Sequence, residues 1–206
     1  MYAIITSSPN TDGLTAACGK AALRGIENSG GTGQIIDLCR EKIESCLTCE
    51  DGWGECIREN RCVIDDCLPM LQETLKEAEG IFLITPVYFG QPSEHMKYFC
   101  DRFRRCEAFR KEKSNVTGKK INLVAAAGGS GNGTVSCLSE LETWCRHVSA
   151  VPFERIGITR YNRDQMLKFI EWAGANMVAS AHKRTAELHE YERRCTHGPR
   201  GNGGAI

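Results

Sequence analysis

The sequence predicts an α/β fold built on a doubly wound, five-stranded parallel sheet in the order 2-1-3-4-5. Apolar runs of strand length occur at residues 2–6, 34–38, 81–85, 121–127 and 153–158, and helical periodicity returns before the next run begins. The middle run, Ile81, Phe82, Leu83, Ile84 and Thr85, is apolar without alternation, as a strand covered on both faces is. Strand and helix alternate in this way when right-handed crossovers place helices on both sides of one sheet. In that order, the loops after the first, third and fourth strands share one edge, where ligands of such sheets bind.

The first strand, residues 2–6, ends in Ser7, Ser8, Pro9, Asn10, Thr11, Asp12 and Gly13, after which Leu14, Ala17, Cys18 and Ala21 mark a helix. The loop offers the hydroxyls of Ser7, Ser8, Thr11 and Thr15 and free N–H groups at a helix start, an arrangement suited to a phosphate without a Walker lysine. Taken alone, a Ser/Asn/Asp helix cap is the commoner explanation of such residues. Residues 34–38 form the second strand, after the turn-rich segment 29–33.

Between the second strand and the next helix lies a cysteine-rich loop, residues 39–67. Its Cys46, Cys49, Cys56, Cys62 and Cys67 are five of the chain's twelve cysteines, separated by two, six, five and four residues. Short loops let several thiolates face one soft metal centre, and the spacing alone suits an iron-sulfur cluster or zinc equally. Cys67 shares an apolar stripe with Leu68, Leu71, Leu75 and Ala78 and reads as core, leaving Cys46, Cys49, Cys56 and Cys62 as the preferred ligands.

The central strand runs into Pro86, Val87, Tyr88, Phe89 and Gly90, an apolar-aromatic loop on which a flat ring could stack, or which packs inward on its own domain. Ser93 then caps a helix with Met96, Phe99, Cys100 and Phe103 on one face. The charged stretch 107–120 reads as a surface connection. After the fourth strand, Gly128, Gly129, Gly131 and Gly133 let the backbone approach a ligand closely. Helices follow the fourth and fifth strands, and Cys18, Cys100, Cys106, Cys137 and Cys145 read mostly as small buried hydrophobes. Residues 1–192 are expected to form the domain and 193–206 a flexible tail, whose Cys195 and His197 read as an accidental ligand pair.

With 26 basic and 26 acidic residues, the chain gives no support to nucleic-acid or membrane-surface binding, and no apolar run approaches membrane-spanning length. Twelve cysteines in a chain of 206 residues that opens without a secretory leader point to a cytoplasmic protein whose thiols serve metal or redox chemistry. Hydroxyl-rich, aromatic and glycine-rich loops on one rim together describe an FMN site, with Ser8, Asn10, Gly13, Leu14, Thr15, the 86–90 segment and Gly128, Gly129 and Gly131 as its candidates.

On Ser8, Pro9 and Thr15, on Cys46 and Cys49 leading to Cys62, Val63, Ile64, Asp65 and Asp66, and on Thr85 to Gly90 with Lys97, Asp101 and Arg102, the chain resembles the iron-sulfur flavoproteins. These lie within the NAD(P)H-dependent FMN reductase group, and the resemblance covers roughly residues 2–160. It implies a flavodoxin-like fold, FMN in the rim site and a [4Fe-4S] cluster on the cysteine loop. It further implies electron transfer with a ferredoxin-type donor or NAD(P)H and a small-molecule acceptor, and a homodimer or homotetramer. The family's cluster pattern is more compact; here Gly52, Trp53 and Gly54 displace the third cysteine to Cys56, and Cys67 stands where Met is common. Asn10 and Leu14 replace a frequent basic residue and a frequent Asn. No nucleophile with a matched base stands out, so no acid-base catalytic residue is assigned. Two other classes fit parts of the sequence: a cluster-free NAD(P)H-dependent FMN or quinone reductase, and a zinc-stapled interaction module without redox activity.

Overall fold

The computed structural model describes residues 1–196, without the side chains of 111–112 and 182–196. The strands are β1 (Tyr2–Thr6), β2 (Gly33–Asp37), β3 (Gly80–Tyr88), β4 (Gln91–Pro92), β5 (Lys120–Ala127) and β6 (Val151–Thr159). The helices are α1 (Leu14–Asn28), α2 (Glu55–Arg58), α3 (Leu68–Glu77), α4 (Glu94–Glu107), α5 (Thr134–His147) and α6 (Arg163–Thr196). Five parallel strands lie in the order β2-β1-β3-β5-β6, which is the expected doubly wound order, and β4 pairs with the end of β3 alone.

The alternation of side chains along each strand divides the core into two layers. Ala3, Ile5, Ile81, Leu83, Ile121 and Leu123 face a layer closed by Leu68, Leu71 and Leu75 of α3, Met96, Phe99 and Phe103 of α4 and Leu141 and Trp144 of α5. Tyr2, Ile4, Phe82, Ile84, Val124 and Ala126 face the opposite layer, closed by Cys18, Ala21, Ala22 and Ile26 of α1 and Ile170, Ala173 and Met177 of α6. The α1–α6 crossing is so close that a Cβ on Gly25 would stand 1.9 Å from the Glu171 carbonyl oxygen. Buried Asn122 accepts from the Glu154 N–H at 3.1 Å, at the shift in register between β5 and β6.

Several expectations needed correction. The apolar-aromatic segment is not a loop after the strand: β3 continues to Tyr88 and turns back at once, with Val87 opposite Pro92 and Tyr88 opposite Gln91. Phe89 and Gly90 both take positive φ, 51° and 78°, the pair of left-handed conformations that a two-residue hairpin turn needs. Ser93 occupies the N-cap position of α4 but caps nothing; its Oγ donates to the Ser7 carbonyl at 2.9 Å instead.

The 107–120 connection runs partly at the surface, but Glu107 and Val116 within it are fully buried. Glu107 accepts from Gln72 Nε2 at 2.8 Å, Asn115 N at 2.8 Å and Asn115 Nδ2 at 3.1 Å, so a charged residue that reads as surface is an internal tie. The expected tail overlaps α6, which runs to Thr196; Cys195's side chain and His197 lie outside the described residues. Among the described residues, no helix is long and apolar enough to cross a membrane.

Candidate functional site

Three loops meet at the carboxyl edge of the sheet, and specific contacts bind them to one another. The loop after β1 is tied to the start of α4 through Ser93 Oγ, which contacts both the carbonyl and the hydroxyl of Ser7 at 2.9 Å. Thr85 Oγ1 accepts from the Ser93 N–H at 3.0 Å, joining β3 to the same point. The β3–β4 turn is pressed on the glycine loop: a Cβ on Gly133 would lie 2.5 Å from Gly90 Cα, and Ser136 Oγ donates to the Gly90 carbonyl at 2.8 Å.

The structure treats the individual rim candidates differently. Ser8, Asn10 and Thr15 line a groove with Thr6, Thr11 and Lys20. Gly13 is the N-cap of α1 with no side-chain cap, leaving the first helical N–H groups available, and the Asn10 side chain lies 3.0 Å from where a Cβ on Gly13 would stand. Leu14 turns its side chain toward the core, so it can offer only backbone to a ligand. Pro86 and Val87 are half-buried, while Tyr88 is exposed and Phe89 projects fully into solvent at 107% relative exposure. Gly128 and Gly129 have open space where a side chain would stand, whereas Gly131 and Gly133 are held in left-handed conformations at φ 86° and 82°. Lys20 was missed in the sequence; its position four residues beyond Ala16, one turn along α1, is the signal that places it on the same groove. Burial first, then the carboxylate of Glu94 and the thiol of Cys39, raises the Tyr88 phenol above its usual value, so it stays a neutral hydroxyl.

The cysteine loop forms a separate recess against α4. Cys46, Cys49, Cys56 and Cys62 all line it, together with Leu47, Val63, Arg102 and Arg105, whereas Cys67 does not. Cys67 sits at the N-cap of α3 and packs against the core, as its apolar stripe predicted. Burial, then Asp66 and Glu41, pushes its thiol up to about 11. The backbone around the recess is held in an unusual course, with Thr48, Glu50, Asp51 and Asn60 all at positive φ. Non-glycine residues persist there when surrounding contacts over-determine them, which is common at functional sites. Among the described residues, no three His, Cys, Asp or Glu side chains converge closely enough for a single metal ion.

Two N–H groups already address the sulfurs: Thr48 N donates to Cys46 Sγ at 3.4 Å, and Arg102 Nε to Cys62 Sγ at 3.3 Å. Arg102 is 1% exposed and is clamped by Asp66, which it meets through both terminal nitrogens, and by the Glu44 carbonyl at 3.0 Å. Cys18, Cys100, Cys106, Cys137 and Cys145 behave as apolar fillers. Cys18, Cys106, Cys137 and Cys145 are buried, which lifts each thiol to about 12, while Cys100 is half-buried and its carbonyl accepts from Trp144 Nε1 at 2.8 Å.

Residues 2–160 match the model of the NADPH-dependent FMN reductase family. The chain belongs to that family. It is 32% identical over 129 residues to an iron-sulfur flavoprotein of Methanocaldococcus jannaschii, across 63% of this chain and 62% of that protein. That match therefore spans less than two thirds of the relative's length. It is 27% identical over 194 residues to an iron-sulfur flavoprotein of Archaeoglobus fulgidus, across 90% of this chain and 95% of the other. Among solved structures, a flavodoxin from the domain Archaea shares the fold at a TM-score of 0.60 and 19% identity, covering 88% of this chain and 99% of that one. The family member described here thus carries the doubly wound flavodoxin-like sheet, with the cysteine loop inserted after β2.

Proposed function

We propose that this protein is a two-centre electron carrier, an oxidoreductase that binds FMN on the rim and a [4Fe-4S] cluster in the cysteine recess. The observation that carries the reading is that the four preferred cysteines line one recess, already served by N–H groups of Thr48 and Arg102. Four thiols lining one recess are the soft donor set that an iron-sulfur cluster takes. Cys46, Cys49, Cys56 and Cys62 would hold it, and the resemblance to iron-sulfur flavoproteins supports a cluster on this loop. Cluster and flavin together would allow single electrons to be exchanged with one partner and pairs with another.

The chain's own residues supply position and environment. Ser8, Asn10, Thr15 and the N–H groups at the start of α1 would receive the FMN phosphate, with Lys20 adding positive charge. Tyr88 or Phe89 would cover the ring, and the Gly128–Gly129 backbone would approach its polar edge. Leu47, Val63 and Trp53, all exposed beside the cysteines, would restrict water at the cluster mouth. The electron donor, whether a ferredoxin-type protein or NAD(P)H, the small-molecule acceptor, a cytoplasmic location and a homodimer or homotetramer belong to this proposal.

The test is an absorption spectrum of anaerobically purified protein, with flavin, iron, zinc and acid-labile sulfide determined on the same sample. Stoichiometric FMN with about four iron and four sulfide per chain is the expected result. Flavin without iron would favour the cluster-free reductase, and zinc without flavin or iron the interaction module. A second prediction concerns the rim alone. In Gly133→Ala, the new Cβ meets Gly90 Cα and φ is unfavourable, so the two loops must part. Apoprotein fluorescence titration is expected to show FMN binding at least about tenfold weaker, the effect of about 1.4 kcal/mol. Unchanged affinity would remove the rim as the flavin site.

A further inference from the structure

Arg105 lies three residues beyond Arg102 on α4 and lines the same recess. Its guanidinium is otherwise well anchored: Nη1 donates to the Gly52 carbonyl, and its central carbon stands 4.6 Å from the centroid of the Trp53 ring. Trp53 is held in turn by an edge contact with Phe109 at 5.1 Å. Yet Arg105 Nε is buried and has no hydrogen-bond partner among the described residues. A buried N–H of a charged group is costly to leave unmade, and native structures rarely do so. The residues that anchor Arg105 are Gly52 and Trp53, part of the Gly-Trp-Gly segment by which this loop departs from the compact family pattern.

We propose that the Nε–H of Arg105 donates to a sulfur of the cluster in this recess and thereby sets the cluster's reduction potential. This rests on the two-centre reading above. A hydrogen bond to a cluster sulfur stabilises the reduced, more negative state over the oxidised one, so it raises the potential. Arg102 and Arg105 then form a pair on one helical face: the first positions the ligand Cys62, and the second addresses the cluster. The Gly52–Trp53 segment is the latch that orients the second arginine. Arg105 thus acts directly on the redox equilibrium of the cluster rather than on substrate.

The experiment is an EPR-monitored redox titration of holoprotein with Arg105→Lys, which retains the charge but not the planar donor. Arg24→Lys, on α1 where its side chain pairs with Glu171 and does not line the recess, serves as control. Arg105→Lys is expected to shift the cluster's one-electron equilibrium about tenfold toward the oxidised form, which is 59 mV. Arg24→Lys leaves it in place, and flavin content is the same in both. As a measurement independent of any variant's assembly, pulsed EPR of the reduced wild-type protein labelled with 15N-arginine is expected to show two arginine couplings. Arg102 alone would give one. An unchanged potential in Arg105→Lys, or a single coupling in the wild type, overturns the proposal while leaving the two-centre reading intact. Wild-type protein with flavin but no iron or sulfide overturns both.

Discussion

Cys49→Ser is expected to abolish the broad visible absorbance and the iron content of the protein while leaving stoichiometric FMN bound. Iron in such clusters is held by soft thiolates, and a serine hydroxyl is a hard, poor replacement. Cys49 stands in the recess beside Gly54, where a Cβ on the glycine would already be 3.2 Å from Cys49 Cβ, so the loop has little room to recruit another ligand. The flavin rim draws on other segments, those after β1, β3 and β5, and none of its candidates lines the cysteine recess. Absorption spectra with iron and flavin analysis on one preparation decide the matter. Joint loss of flavin and iron would show that the two sites are one cooperative unit.

Asp66→Asn should produce the largest loss of stability of any single polar change near the site. Arg102 and Asp66 have side chains 1% and 0% exposed, so solvent does not screen the pair. Removing one charge leaves the other buried and uncompensated, which typically costs about 3–5 kcal/mol. The melting temperature should fall by on the order of 10 °C. Iron retention should fall with it, because Arg102 loses the clamp that aims its Nε at Cys62 Sγ. A change under about 1 kcal/mol would mean that the Arg102 charge is balanced by other groups.

The same pair carries a pH signature. Burial alone would raise the Asp66 pKa, but hydrogen bonds from Arg102 and from the N–H groups of Glu44 and Leu68 outweigh it and hold the carboxyl below its ordinary 3.8. A depressed acid contributes stability that is present above the unfolded value and is lost as pH falls below it, through the folded one. Wild-type stability measured by urea titration should therefore drop below about pH 4 more steeply than that of Asp66→Asn.

Much of the fold was legible because its signals are local. The apolar runs of β1 and β5 were nearly complete in the sequence, and that of β3 covered its buried residues 81–85, since a parallel strand covered on both faces shows as an unbroken run. The Phe89–Gly90 turn was present in the residues but masked by the apolar character around it, and only the positive φ values show that β3 folds back there. Glu107 misled for a similar reason. A charged residue in a charged stretch reads as solvated, and nothing local announces that Gln72, 35 positions earlier, reaches it in the interior.

What the sequence by itself determined is the alternation of strands and helices and the concentration of cysteines in one loop, because periodicity and spacing act over a few neighbouring residues. The order of the sheet followed from the fold class that this alternation implies. Only the tertiary structure decided which groups serve those cysteines. Arg102 meets Cys62 across 40 positions and Asp66 across 36, and Arg105 meets Gly52 across 53. The rim is likewise assembled by Ser93 on Ser7 across 86 positions and by Gly90 against Gly133. Such pairs are set by how α4 and the loops pack at the ends of adjacent strands, and burial then makes an unpaired charge or N–H at those points too costly to leave.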